Sequence, residues 1–311
     1  MHPKKTYELR IAFSQQDADL ANNTKQILIH WLIGCGEESF VEGVVDGLDV
    51  DFDYENPDRD MFVEAGGNAA PLSIYRYDVE YLQDLQAKIE ATFQEKVLCS
   101  EHWLETEVWL EGWKSSFRAF HTEQFLIYPP WDKESPKSTH LIPIEIEPGM
   151  AFGTGQHATT QLCLRELERL PQFDLTKPIL DVGTGTAILA IALAKLGYNS
   201  ITATDIDPDA VNAAKENIAM NHCQIEVLRS SVPENSKEKF SLVIANILMV
   251  VIRKIARDMV ASIAPEGYLL VSGVLDSERL EMRALGESLG LSLCRHQEQD
   301  GWVSMLFQRQ G

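Results

Sequence analysis

Residues 178–205 read Pro178-Ile179-Leu180-Asp181-Val182-Gly183-Thr184-Gly185-Thr186-Ala187-Ile188-Leu189-Ala190-Ile191-Ala192-Leu193-Ala194-Lys195-Leu196-Gly197-Tyr198-Asn199-Ser200-Ile201-Thr202-Ala203-Thr204-Asp205. Pro178 to Val182 is a short apolar run of the kind buried on both faces of a sheet, and it closes on a glycine pair. Ile188 to Leu196 continues as an apolar helix, which Gly197 stops. Ser200 to Thr204 is a second buried strand, ending at Asp205. Strand, glycine turn, helix and strand in this order form one βαβ unit.

The pattern continues outward from there. Pro208 opens a helix running to about Met220. Ile225 to Leu228, Phe240 to Ile247 and Tyr268 to Val274 read as the third, fourth and fifth strands, with apolar helix-like sequence after Ile247. Leu291 to Cys294 and Val303 to Phe307 flank Asp300-Gly301, a hairpin signal. Short apolar strands alternating with helices predict an α/β fold with a doubly wound, mostly parallel sheet. Ligands of such sheets lie at the carboxyl ends of the strands, near the reversal of strand order, and Gly183, Asp205 and Asn246 all fall at such ends.

The glycine spacing separates two cofactor classes. A nicotinamide-binding turn places glycines at positions 183, 185 and 188, whereas position 188 here is Ile. Asp205 lies 22 residues beyond Gly183, where a carboxylate can accept hydrogen bonds from both hydroxyls of a ribose. Asp181 can either hold the strand-end loop or approach a cationic ligand. Asp181, Gly183, Gly185 and Asp205 are therefore candidates for a nucleoside-type site. The alternative is a tight turn and helix cap with no ligand.

Residues 1–100 read as a separate small α+β unit. Tyr7 to Phe13, Ser39 to Val45 and Leu72 to Tyr77 are strand candidates, Asp19 to Leu32 and Val79 to Phe93 helices, and Val97 to Cys99 a last strand. Asp49 to Ala70 reads as a loop. This order fits a ferredoxin-like sandwich. Residues 101–125 are expected to be a linker and 126–311 the domain built on the glycine turn. Trp103, Trp109, Trp113 and Trp131 read as a helix docked through its aromatics that ends in a stiff segment at Pro129-Pro130, with Pro136 and Pro143 prolonging the irregular stretch.

At 311 residues and 45% hydrophobic, the chain can bury a substantial core and favours two domains. Its apolar runs are too short to cross a bilayer, and Met1 to Phe13 lacks the apolar stretch of a secretory signal. Five widely spaced cysteines, Cys35, Cys99, Cys163, Cys223 and Cys294, make neither a disulfide framework nor a zinc ribbon and fit a reducing cytoplasm. The formal charge of −20 disfavours direct nucleic-acid binding and suits a basic protein partner, although the same charge also serves solubility.

The segment Ile146-Glu147-Pro148-Gly149-Met150-Ala151-Phe152-Gly153-Thr154-Gly155-Gln156-His157-Ala158-Thr159-Thr160 is a glycine-bearing loop whose backbone donors can meet a ligand. Thr159-Thr160 are expected to cap a helix beginning near Gln161. His157 is open to two readings, a catalytic base or an organiser of the loop. No second histidine is near enough to make a metal motif, and no metal site is expected.

The Glu147–Thr160 loop, the run Ile179 to Gly197, the string Thr204-Asp205-Ile206-Asp207-Pro208 and Ala245-Asn246-Ile247-Leu248 closely resemble the bacterial ribosomal protein L11 methyltransferases (the PrmA type). Trp103, Glu111-Gly112-Trp113-Lys114 and Pro129-Pro130-Trp131 extend the resemblance over roughly the last two thirds of the chain. It implies a class I methyltransferase domain with a seven-stranded sheet, S-adenosylmethionine as methyl donor, and a ferredoxin-like substrate-recognition domain. It also implies methylation of amino groups, lysine side chains and the α-amine, on one cytoplasmic ribosomal protein. By the same resemblance Thr160, Gly183 and Asp205 contact the cofactor, and Asn246 lies near the transferred methyl as the catalytic candidate. A monomer is expected, without nucleic-acid or membrane binding. The family usually has glycine where this chain has Ala187, and Arg229-Ser230-Ser231 lacks the acid that many class I enzymes set against the adenine amine. Two other readings fit the same residues: a methyltransferase of another protein or small amine, and a nonenzymatic cofactor-binding adaptor.

Overall fold

The computed structural model describes residues 5–15, 17–34, 37, 40–42, 71–76, 78–105, 119–138, 140–147, 157–170, 176–233 and 239–310. Two units divide the chain, Met1–Phe117 and Arg118–Gly311. The Asp49–Ala70 loop, Trp109, Trp113, Cys35 and the segment from Pro148 to Gln156 lie outside the described residues.

In the first unit, β1 (Lys5–Phe13), α1 (Ala18–Gly34), β2 (Phe40–Glu42), β3 (Leu72–Arg76), α2 (Val79–Phe93) and β4 (Val97–Glu105) follow one another. The sheet is antiparallel in the order β2-β3-β1-β4, the ferredoxin-like arrangement expected from the element order. Leu9, Ile11 and Phe13 alternate along β1 as fully buried residues, and Leu82, Leu85, Ile89 and Phe93 form the buried face of α2. Asp78 caps α2 by accepting from the Tyr81 N–H. β4 continues well past Cys99, pairing along β1 as far as Glu105 opposite Lys5. Trp103 therefore belongs to a strand and not to the docked helix expected, and Lys5 Nζ lies 3.6 Å from its ring centroid.

The second unit begins with a small sheet, β5 (Phe120–His121), β6 (Phe125–Tyr128) and β7 (Ile142–Glu145). Pro143 sits on β7 opposite Leu126, so part of the stretch expected to be irregular is a strand. β7 is an edge strand, where proline's missing N–H costs no ladder bond. Then come α3 (Ala158–Glu168), β8 (Ile179–Val182), α4 (Ile188–Lys195), β9 (Ile201–Asp205), α5 (Pro208–Met220), β10 (Glu226–Arg229), β11 (Phe240–Asn246), α6 (Met249–Ser262), β12 (Ile263–Leu275), α7 (Arg279–Ser288), β13 (Leu291–Gln299) and β14 (Trp302–Arg309).

The seven strands from β8 onward form one sheet in the order β10-β9-β8-β11-β12-β14-β13, parallel except where β14 joins β12 and β13. The fold is thus α/β and doubly wound. Period-2 alternation sends Ile179, Leu242 and Ile244 to a core shared with α3, α4 and α5, and Leu180, Val243 and Ala245 to one shared with α6 and α7. Asp300 and Gly301 both take positive φ in the two-residue turn joining β13 to β14, as the Asp-Gly signal required. Strand order reverses between β8 and β11, so the carboxyl ends of these neighbours flank the crevice where such sheets bind ligands.

Candidate active site

Three residues of the turn after β8 are left-handed. Gly183 has φ +68°, Gly185 +53° and Ala187 +65°. At Gly183 an added Cβ would lie 2.4 Å from Ile247 Cγ2, so the position needs glycine for space as well as conformation. Ala187, the N-cap of α4, is fully buried and makes no side-chain cap bond. A left-handed non-glycine residue costs about 1–2 kcal/mol.

Two aspartates hold this turn from below and from the side. Asp181 is buried; its Oδ2 accepts from Thr184 Oγ1 at 2.7 Å, and it also accepts from the Ala190 N–H. Burial raises its pKa from 3.8 to about 6, the neighbouring Asp205 charge adds to the rise, and these two donors oppose it. Of the two roles open to Asp181, loop brace or partner of a cation, its hydrogen bonds to Thr184 and Ala190 fit the first. Asp205 Oδ2 accepts from the Gly185 N–H at 3.0 Å and Oδ1 from the Asp207 N–H at 3.0 Å. Each oxygen keeps further lone pairs, and the carboxylate is only partly buried, at the end of β9. Asp207 caps α5 through the Asp209 N–H, with Pro208 in the first turn.

Val182 pairs with Ala245, so Gly183 and Asn246 leave the sheet side by side. Asn246 Nδ2 donates to Thr160 Oγ1 at 3.3 Å. Its Oδ1 is buried and has no hydrogen-bond partner among the described residues. A buried acceptor left bare costs about 1–3 kcal/mol, so this oxygen is open to a hydrogen bond from a bound molecule.

Thr160 is presented by α3, which starts earlier than expected, at Ala158, and is capped by His157 and not by the two threonines. His157 Nδ1 accepts from the Thr159 N–H at 3.4 Å and lies 2.8 Å from the Thr159 hydroxyl. The His157 ring meets Trp302 edge-on, with centroids 5.1 Å apart. These contacts make His157 an organiser of the helix start. Among the described residues no three metal-ligating side chains converge.

Asn217 and Asn221 were not singled out from sequence. Asn217 lies on α5 and Asn221 is its C-cap, one turn on; both are buried, and they hydrogen-bond the backbone at Thr186, Glu145 and Glu147. The available signal was a pair of asparagines on the stripe otherwise formed by Ala210, Ala214 and Ile218.

The site fits a nucleoside with a charged tail: a glycine cradle that a Cβ would fill, a carboxylate with spare lone pairs for a diol, and a bare buried carbonyl. The family model described as ribosomal protein L11 methyltransferase (PrmA) matches residues 50–310. A protein named ribosomal protein L11 methyltransferase from Staphylococcus epidermidis is 36% identical over 236 residues, covering 75% of this chain and 73% of its own. One of the same name from Geobacter metallireducens is 40% identical over 206 residues, covering 66% of this chain and 67% of its own. The crystal structure of a ribosomal protein L11 methylase from Lactobacillus delbrueckii subsp. bulgaricus superposes with a TM-score of 0.58 at 28% identity, covering 63% of this chain and all of that one.

Proposed function

This chain belongs to the ribosomal protein L11 methyltransferase family, and we propose that it transfers methyl groups from S-adenosylmethionine to amino groups of ribosomal protein L11, lysine side chains first among them. The donor supplies an activated methyl on a sulfonium, so the protein's task is chiefly to orient the two reactants and exclude water. Asp205 accepts from the ribose hydroxyls, and the Gly183–Gly185 turn admits close backbone approach. Thr160 and Asn246, joined by a hydrogen bond, would hold the methionine end, with Asp181 bracing the turn.

An amine attacks only in its neutral form, and a free lysine titrates at about 10.4. Asn246 Oδ1 can accept one N–H of the neutral amine and so aim its lone pair. No side chain is assigned as an obligate base. The observation that carries this reading is the bare, buried Oδ1 of Asn246 at the strand end beside Gly183. The charge of −20 suits a basic ribosomal protein and opposes bare nucleic acid. No helix among the described residues is long and apolar enough to cross a membrane, and a ribosomal substrate puts the activity in the cytoplasm, with the chain acting as a monomer. Residues 1–100 supply substrate recognition, and 126–311 hold the donor and the reacting amine.

Asn246→Ala tests the reading. Single-turnover methyl transfer at saturating donor is expected to fall about tenfold to a hundredfold, with donor affinity changed less. Equal rates for variant and parent would leave Asn246 a loop brace and remove the central support.

A further inference from the structure

Asn217 is the group whose role the reaction leaves unexplained. It is 1% exposed, and both ends of its amide are used. Nδ2 donates to the Thr186 carbonyl at 3.1 Å, and Oδ1 accepts from the Glu147 N–H at 2.8 Å. The Thr186 carbonyl belongs to the same peptide unit as the Ala187 N–H, which donates to Thr184 O at 2.8 Å. That peptide is therefore held at both of its polar atoms, just where the chain enters the left-handed conformation of Ala187. Asn221, the C-cap of α5 one turn further on, makes no bond to the glycine turn among the described residues. Its amide brackets Glu145, accepting from the Glu145 N–H at 3.0 Å and donating to the Glu145 carbonyl at 2.6 Å.

We propose that Asn217 is a positioning residue for the methyl donor: it locks the Thr186–Ala187 peptide and ties the glycine turn to the backbone at Glu147. The assignment rests on the reading that the Gly183–Ala187 turn receives S-adenosylmethionine. Glycine at position 187 would enter the left-handed region without strain, whereas alanine has to be held there, and Asn217 supplies the hold. Without it the Thr186 carbonyl and the Glu147 N–H each lose the hydrogen bond that Asn217 supplies, and the peptide is held less firmly in the conformation the donor requires.

The test compares Asn217→Ala, Asn217→Ser and Asn221→Ala in the full chain. Donor affinity is measured by calorimetry, melting temperature by circular dichroism, and exchange of the Glu147 N–H without donor. Loss of Asn217 is expected to weaken S-adenosylmethionine binding about tenfold or more and to speed Glu147 exchange. The single-turnover rate at saturating donor should change little. Asn221→Ala is expected to lower the melting temperature with less than about a twofold change in donor affinity. If Asn217→Ala does not fold, the serine variant, which keeps a small polar group, decides. Parent-like affinity in a folded Asn217 variant overturns the proposal, as does an equal loss in Asn221→Ala, which would reduce Asn217 to a structural brace. A parent that binds no S-adenosylmethionine overturns the donor-site reading as well, and the parent control separates that result from a failure specific to Asn217.

Discussion

Ala187, Asp181 and Asp205 carry the sharpest consequences at the residue scale. Ala187 is left-handed and buried, so replacing it with glycine relieves roughly 1–2 kcal/mol of strain while removing one buried methyl, worth about 0.8 kcal/mol. Ala187→Gly is expected to be near neutral. Ala190→Gly, at a fully buried right-handed position of α4, should cost about 2 kcal/mol from propensity and packing together. Urea titration of both variants checks the contrast; equal losses would contradict the conformation at Ala187. Asp181 has its folded pKa raised from 3.8 to about 6, so the folded state holds its proton more tightly than the unfolded chain. Its ionisation therefore withdraws stability as pH rises through the window from about 4 to 6, and Asp181→Asn removes that loss. The stability of Asp181→Asn relative to the parent should rise by about 2–3 kcal/mol between those pH values. A flat difference would mean that Asp181 ionises in the folded state as easily as in the unfolded chain. For Asp205→Ala, calorimetry is expected to show donor binding weaker by roughly 1–3 kcal/mol, and unchanged affinity in a folded variant would remove the residue from the site.

At the element scale, what could be read from sequence depended on whether an element buries apolar side chains. β8, β9, β11 and β14 are apolar runs with covered faces, and α5 announces itself through Asp207 and Pro208; all stand within a few residues of where the sequence placed them. β13 shows the opposite case. Beyond Cys294 it carries Arg295, Gln297 and Gln299, with no apolar period. It remains a strand because Arg295 Nε reaches Glu166 Oε2 at 2.6 Å and Arg165 donates to Gln299 Oε1 at 2.7 Å, fastening it to α3. α7 leaves no clear period in the sequence, because it buries only Met282 and Gly286. The prolines hid β7 because proline usually argues against a strand, and only the edge position tolerates it. In the site, Gly183, Asp205 and Asn246 were legible because strand ends in a doubly wound sheet have a known relation to ligands. Asn217 was not, since a buried asparagine announces itself only through backbone partners distant in sequence. His157 as N-cap leads to one further expectation: His157→Ala should destabilise the chain by about 1 kcal/mol through α3, as thermal unfolding would register. A variant as stable as the parent would assign the cap elsewhere.

On the scale of the whole molecule, every residue named for the site lies in the unit Arg118–Gly311. The first unit has its own four-stranded sheet and buried face. A fragment beginning near Ser116, once circular dichroism shows it folded, is expected to bind S-adenosylmethionine like the full chain while losing most activity towards L11. On the proposed division of labour, remote binding energy from the first unit would bring the protein substrate to the methyl. A folded fragment that methylates L11 as fast as the full chain would end the assignment of recognition to the first unit. The central claim, that this chain methylates amines of L11, is tested most directly by incubating purified L11 with the chain and S-adenosylmethionine and mapping the product by mass spectrometry. The expected result is mass increments of one or more methyl groups on lysine side chains or the α-amine of L11. An L11 of unchanged mass, beside a chain shown to bind the donor, would contradict it.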